Sequence, residues 1–130
     1  MRTLFLLILA AVPAAYPQKK APQPKPPIIE VVEAAAHRDD TRLNIDAKLK
    51  NSGERTAKDL VVIVDVLDSD KRTLTTQTGG SDPESVEAGE EGEFHAQIAL
   101  PARAVYFRLS FEEPGGRYLK ATNTGPFTIE

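Results

Sequence analysis

The chain has 130 residues, of which 41% are apolar and 27% charged, and it contains no cysteine, which fits one globular domain and excludes a disulfide scaffold. All 19 acidic residues and 12 of the basic residues lie from Ile28 onward, so that this part carries a net charge of −7. Because binding to phosphate backbones or anionic membranes requires a positive field, we expect no nucleic-acid partner for it.

The first 15 residues have the pattern of a secretory signal peptide. Arg2 gives a positive start, residues 4–12 are an unbroken apolar run, and small residues precede a cleavage site after Ala14 or Ala15. The alternative, an uncleaved membrane anchor, needs about 20 apolar residues, roughly twice this run. We therefore expect export to the periplasm or the cell exterior, with no membrane span left after cleavage.

Residues 16–27 are rich in proline and lysine. Proline fixes φ and removes backbone donors, so these residues predict an extended, disordered leader. A proline-rich ligand for another domain is the alternative interpretation. The folded domain is then predicted to span residues 28–130.

From Ile28 onward, apolar and polar residues alternate in short runs separated by turn signals, the pattern of an all-β protein. Residues 60–68 are almost continuously apolar and rich in β-branched side chains, which predicts a central strand covered on both faces. The predicted strands are 28–36, 43–50, 60–68, 72–78, 94–100, 105–112 and a last one that starts near Tyr118, breaks at 123–126 and resumes at Phe127. Turns are predicted at 37–40, 51–54, 68–71, 79–83 and 113–116. The sequence thus predicts a seven-stranded antiparallel sandwich of immunoglobulin or fibronectin-III type.

The run from Leu43 to Leu109 resembles the FxLYD-type domain of bacterial exported proteins, a relative of the fibronectin-III and CARDB-like sandwiches. Residues 43–53, 57–68 and 88–94 carry the resemblance. They are similar to that family's Asn-containing turn, its strand closing on a hydrophobic-Tyr-Asp triplet, and its Pro-Gly-Glu signature before a Phe. Asp68 keeps the family residue, and Ala88 stands where Pro is usual. The name-giving Phe, Leu and Tyr positions are occupied by Val64, Val66 and Leu67. The resemblance implies structural roles for these positions and, by analogy of fold, a binding or spacer role.

The sequence lacks the side chains that catalysis and transition-metal binding require. The only histidines are His37 and His95, both in surface-like contexts, and none of the five serines lies in a Gly-x-Ser-x-Gly sequence. Zinc or copper sites need several converging His, Cys or Met residues. We expect no enzyme and no cofactor.

Calcium is the one ion for which the sequence offers ligands. Asp65, Asp68 and Asp70 are weak candidates at one end of the sandwich, and acidic residues crowd the loop before Phe94. The spacing does not match an EF-hand loop, and Asp is also favoured in turns because its side chain accepts backbone hydrogen bonds. A weak calcium site and a solvated acidic loop both stay open.

Two surfaces are candidates for binding a partner. Residues 72–78 are threonine-rich and predict an exposed edge strand, to which an extended segment could add. Tyr106, Arg108, Tyr118 and Lys120 are predicted to point outward on neighbouring strands and to share a face. Tyr and Arg are enriched among interface anchors, although such side chains can also simply cover a sheet.

Two functions of different class follow from these patterns. The first is a non-enzymatic module of the bacterial envelope that binds a protein or glycan partner. The second is a structural or stability-assisting component without a dedicated ligand. The sequence leaves the oligomeric state open.

Overall fold

The structure is a computed structural model that describes residues 23–130, so the predicted signal peptide and most of the predicted leader lie outside the described residues. In that part of the chain we find nine strands and no helix. The strands are β1 (Ile28–Asp39), β2 (Arg42–Asn51), β3 (Val61–Leu67), β4 (Thr73–Gly80), β5 (Glu91–Ala99), β6 (Tyr106–Glu113), β7 (Arg117–Tyr118), β8 (Lys120–Thr122) and β9 (Phe127–Thr128). It follows that residues 23–130 contain no helix long and apolar enough to cross a bilayer.

The strands form two sheets that enclose one core. The first sheet has the order β5-β2-β1-β8, and the second has the order β4-β3-β6-β7, with β9 also paired to β6. The all-β, two-sheet prediction is confirmed. The predicted count of seven strands is wrong, and so is the purely antiparallel arrangement, because β8 runs parallel to β1.

Strand β3 is the central strand that the sequence predicts at residues 60–68. It lies between β4 and β6, antiparallel to both. Val62, Val64 and Val66 are fully buried in the core between the sheets, and complete burial of one such side chain stabilises the fold by about 1.5–3 kcal/mol. Asp65 points to the opposite, outer face, as the alternation along a strand requires.

The C-terminal segment is divided among three short strands rather than one interrupted strand. Leu119 still bonds to β6, its N–H donating to the Phe111 carbonyl at 2.9 Å. The chain then crosses to the first sheet as β8 and returns to the second as β9. Asn123, with φ of 56°, makes the return turn, and its Nδ2 donates to the Val31 carbonyl at 2.7 Å. This crossing closes one lateral side of the sandwich.

The predicted turn at 37–40 is wrong, because β1 continues to Asp39. Arg38 anchors the strand end. Its guanidinium donates to the carbonyls of Ala104 and Ile129, and its backbone N–H donates to the Glu130 carbonyl. Only the two residues that follow β1, beginning with Asp40 at φ of 59°, form the turn.

The predicted break in the sheet at residues 79–83 begins later than expected, because β4 extends to Gly80. A Cβ at Gly79 would lie 2.9 Å from Cε1 of Phe94. The glycine therefore leaves room for the buried Phe94 ring of β5 beneath the end of β4.

Residues 23–27, predicted as the end of the leader, have no regular secondary structure but contact the domain. The Lys25 N–H donates to Oε1 of Glu54 at 2.8 Å, and the Lys25 carbonyl accepts from the Glu54 N–H at 3.1 Å. Pro27 is buried. A Cβ at Gly53 would collide with the carbonyl oxygen of Pro26, so glycine permits this close approach.

Candidate functional site

The outer face of the second sheet carries three of the four residues predicted to bind a partner. Tyr106 and Arg108 alternate with buried residues along β6, and Tyr118 of β7 pairs with Glu112 of β6. Paired residues on adjacent strands point to the same face. Lys120 is separated from them, because β8 belongs to the first sheet and Lys120 pairs there with Ile28. We call the remaining surface the Tyr/Arg face, formed by Tyr106, Arg108, Tyr118, Asp65 and Thr76.

The centre of the Tyr/Arg face is a row of three hydrogen-bonded side chains on adjacent strands. Arg108 donates from Nε to Oδ2 of Asp65 at 3.2 Å, and Thr76 donates from Oγ1 to Oδ1 of Asp65 at 2.7 Å. The Arg108 side chain is 45% exposed, whereas that of Asp65 is 18% exposed. A half-exposed pair of this kind adds little stability, about 0–1 kcal/mol. Its effect is to fix the direction of an Arg side chain that solvent can still reach.

Tyr106 lies at one end of the face, where a tight turn places a cation over its ring. Nζ of Lys71 is 5.0 Å from the ring centroid, within cation–π range. The turn is held by Asp68, whose Oδ1 accepts the backbone N–H groups of Arg72 and Asp70, each at 2.9 Å. These hydrogen bonds, from Arg72 first, lower the pKa of the Asp68 carboxyl below its ordinary value.

The Tyr/Arg face is long. Glu112, the partner of Tyr118, is six positions along β6 from Tyr106. At about 3.4 Å per residue, the two tyrosines are therefore roughly 20 Å apart along the sheet. A single small ligand cannot contact both, whereas a protein surface can.

The structure does not bring the calcium candidates together. Both oxygens of Asp65 are occupied by Arg108 and Thr76, and Asp68 accepts two backbone hydrogen bonds. Asp70 is exposed in the turn. Within residues 23–130, no group of three or more His, Cys, Asp or Glu residues is placed to hold a metal ion.

The outer face of the first sheet holds a cluster that the sequence did not predict. Nδ1 of His95 lies 2.6 Å from Oδ1 of Asp46, and Nε2 lies 3.1 Å from Oε1 of Glu93. Asp46 and then Glu93 raise the pKa of His95 above its ordinary value of 6.5. An open groove of about 500 Å³ adjoins the cluster and is also lined by Glu33 and Lys48. Because each ring nitrogen of His95 faces a carboxylate, neither nitrogen is free to accept a proton from a substrate.

Alternation along the strands predicts that His95 points outward, and the structure shows this. It does not predict that His95 meets Asp46, because that contact depends on the register between β5 and β2. The only local signal was the position of Glu93 two residues before His95, which places both on one face of the strand.

No protein-family model matches the chain, and no curated protein matches it. Among solved structures, it is similar to IrmA from Escherichia coli, with a TM-score of 0.47 and 13% identity over 83% of this chain and 99% of that one. It is also similar to a segment of a beta-glucosidase from Kluyveromyces marxianus, with a TM-score of 0.39 and 15% identity over 82% of this chain but only 14% of the enzyme. Both likenesses are distant and neither bears on function.

Proposed function

We propose that this protein is an exported, non-enzymatic binding module of the bacterial envelope that holds a protein partner on its Tyr/Arg face. The observation that supports this is the row formed by Thr76, Asp65 and Arg108, which holds a half-exposed guanidinium in one orientation beside Tyr106. Ordering a side chain before binding lowers the entropy that association costs. Arg and Tyr are also the side chains most enriched among binding hot spots.

A protein fits this surface better than a glycan does. A stable interface covers about 800 Å² on each partner, and a protein can contact the roughly 20 Å between the two tyrosines as one part of such a surface. At the Tyr106 end of the surface, Lys71 covers one face of the aromatic ring and leaves less of that ring for a sugar to stack on. The face is also a sheet surface and not a cleft.

The proposed non-enzymatic character rests on side-chain chemistry. The chain has no cysteine, and His95 faces a carboxylate at each ring nitrogen. The proposed export rests on the signal-like pattern of residues 1–15 and on the basic proline-rich stretch that follows.

We also infer that the sandwich is of immunoglobulin or fibronectin-III type and related to the FxLYD-type domain. In support, two stretches that carry the resemblance contact each other. The Asn51 N–H donates to the Glu90 carbonyl at 3.0 Å, and the Gly89 N–H donates to the Asn51 carbonyl at 2.7 Å. Gly89 has φ of 80°, a conformation that favours glycine.

Affinity capture from envelope extract tests the proposed function. We expect the wild-type protein to retain a protein partner that Tyr106→Ala/Arg108→Ala retains at least about tenfold less, since loss of a hot spot costs about 2 kcal/mol or more. The matched control is Arg42→Ala/Lys120→Ala, which removes two exposed cations from the first sheet. Circular dichroism and melting temperature confirm that each variant folds.

Three outcomes would contradict the proposal. Equal retention by both variants would remove the Tyr/Arg face as the interface. Retention of glycan instead of protein would change the class of partner. Retention of nothing by the wild type would favour the structural component without a dedicated ligand.

A further inference from the structure

The two lateral sides of the sandwich differ. On one side the C-terminal segment crosses between the sheets, and Leu119, Ala121 and Phe127 pack against the core there. On the other side β4 and β5 are the edge strands of their sheets. The connection from β4 to β5 crosses between the sheets at one end of this side, where Asp82 pairs with Glu93 of β5. Away from that crossing, the outer sides of β4 and β5 pair with no other strand of the described part of the chain.

Apolar side chains at this second side are only partly covered. They belong to the edge strands or follow them directly, and they pack against the core while staying partly exposed: Leu74, Ala96, Ile98 and Leu100. We call these four residues the open seam. An additional strand beside β4 would shield part of the seam and bury apolar surface that the single chain leaves in contact with water.

Strand β4 lacks the features that usually keep an edge strand from pairing. Its eight residues include no charged side chain and no proline, whereas natural edge strands are commonly protected by charge, proline or a bulge. The one irregularity in its pairing with β3 lies near Thr73, and the register is regular from Thr75 to Gly80. This leaves about 20 Å of regularly paired strand whose outer backbone groups have no partner within residues 23–130. The edge strand β5, by contrast, carries Glu91, Glu93 and His95.

We infer that β4 pairs antiparallel with β4 of a second copy of this chain, so that the two second sheets join into one sheet in a symmetric dimer. In a two-fold contact each residue meets the same segment of the other copy, so a charge on the strand brings a second, like charge into the same small interface. The domain is acidic, with a net charge of −7 from Ile28 onward. A neutral edge is where such a protein can approach its own copy, and Thr–Thr pairs across antiparallel strands are favourable.

The geometry of this dimer has a consequence for binding. Antiparallel pairing of identical strands places the two-fold axis perpendicular to the sheet, so both Tyr/Arg faces point to the same side. The dimer would then present two equivalent faces to one partner or surface, which raises avidity without any new contact. Because a strand pair is smaller than a standard interface, we expect association in about the micromolar range.

Sedimentation over a concentration series tests the dimer directly. We expect a reversible monomer–dimer equilibrium that Gln77→Lys/Thr78→Lys weakens at least about tenfold, because both positions are exposed on β4 and would bring like charges together. The control is Thr122→Lys/Thr128→Lys, which adds the same charge at exposed positions on the closed side. A protein that stays monomeric, or a dimer that both variants weaken equally, would overturn the inference.

Cysteine cross-linking gives a second test, because the chain has no cysteine of its own. Single cysteines are placed along β4 at Thr75, Thr76, Gln77 and Thr78, and at Gln97 on β5 as the control. A disulfide needs Cα atoms within about 7 Å, so only positions near the two-fold axis should cross-link. We expect at least one β4 position to form dimers at least about tenfold faster than Gln97→Cys. Equal rates at all five positions would contradict pairing through β4.

Discussion

Asn51 is a buried polar side chain that joins three segments of the chain. Its Nδ2 donates to the carbonyls of Arg55 at 2.8 Å and Val86 at 3.0 Å, and its Oδ1 accepts the Gly53 N–H at 2.9 Å. Asn51→Leu would leave these backbone groups without a partner. We expect the free energy of unfolding to fall by about 2–4 kcal/mol, measured by chemical denaturation.

The control for Asn51 lies in the same strand. Asn44 points outward, is half-buried and accepts one side-chain hydrogen bond, from Gln97. Asn44→Leu is expected to change the free energy of unfolding by no more than about 0.5 kcal/mol. If both variants lost a similar free energy of unfolding, the Asn51 hydrogen bonds would not be what stabilises the turn.

His95 makes stability depend on pH. Its pKa in the folded protein is raised above 6.5, first by Asp46 and then by Glu93. The folded state therefore binds the proton more tightly, and the stabilisation is fully present below about pH 6.5 and lost as the pH rises through the folded pKa. We expect the difference in melting temperature between wild type and His95→Gln to be larger at about pH 5.5 than at about pH 8.5.

Nuclear magnetic resonance titration of the His95 imidazole checks the cause. The titration midpoint should lie above that of an unperturbed histidine. It should fall in Asp46→Asn, because this substitution removes the largest contribution to the raised pKa. Glu91→Gln is the control, because Glu91 lies four residues before His95 on β5 and pairs with Lys50 instead of Asp46. A midpoint that Asp46→Asn does not move would refute the contact as the cause of the shift.

Among the strands, those defined by a local pattern were predictable and those defined by a crossing were not. β3 follows from its β-branched run, and Tyr106 and Arg108 follow from alternation along β6. The division of the last strand could not be predicted, because whether Leu119 or Lys120 stays beside β6 depends on where the chain crosses to β1. For the same reason, the prediction that Lys120 shares a face with Tyr106, Arg108 and Tyr118 is wrong.

The C-terminal residues act as a part of the core and not as a tail. Ile129 is 5% exposed, and its N–H donates to the Val105 carbonyl at 2.9 Å. Ile129→Ala would open a cavity among core side chains. We expect the free energy of unfolding to fall by about 2–4 kcal/mol, measured by denaturant titration, although the residue is next to last in the sequence.

The comparison for Ile129 is Val32, an aliphatic side chain beside the bulge of β1 that is 39% exposed. Val32→Ala removes less buried surface, and its expected cost is about 0.5 kcal/mol or less. If Ile129→Ala were as mild as Val32→Ala, the C-terminal segment would not close the sandwich in solution.

At the scale of the whole molecule, the topology predicts which backbone amides are protected from exchange with solvent. β2 and β3 each have a partner on both sides, whereas β4 has one free side and β5 has one that is paired only at Glu93, with Asp82. Amides of β2 and β3 should exchange only through global unfolding, and alternate amides of β4 and β5 should exchange much faster. Hydrogen–deuterium exchange of the Gln77→Lys/Thr78→Lys variant measures this pattern without the contribution of a dimer.

The two edges should then respond differently to protein concentration. In the wild type, pairing through β4 is expected to slow exchange of its free amides as the concentration rises, because dimer formation removes them from solvent. β5 carries charge and should not change, and it is therefore the internal control. If dimers form while protection from exchange grows on β5, or on neither edge strand, then the contact between copies does not lie on β4.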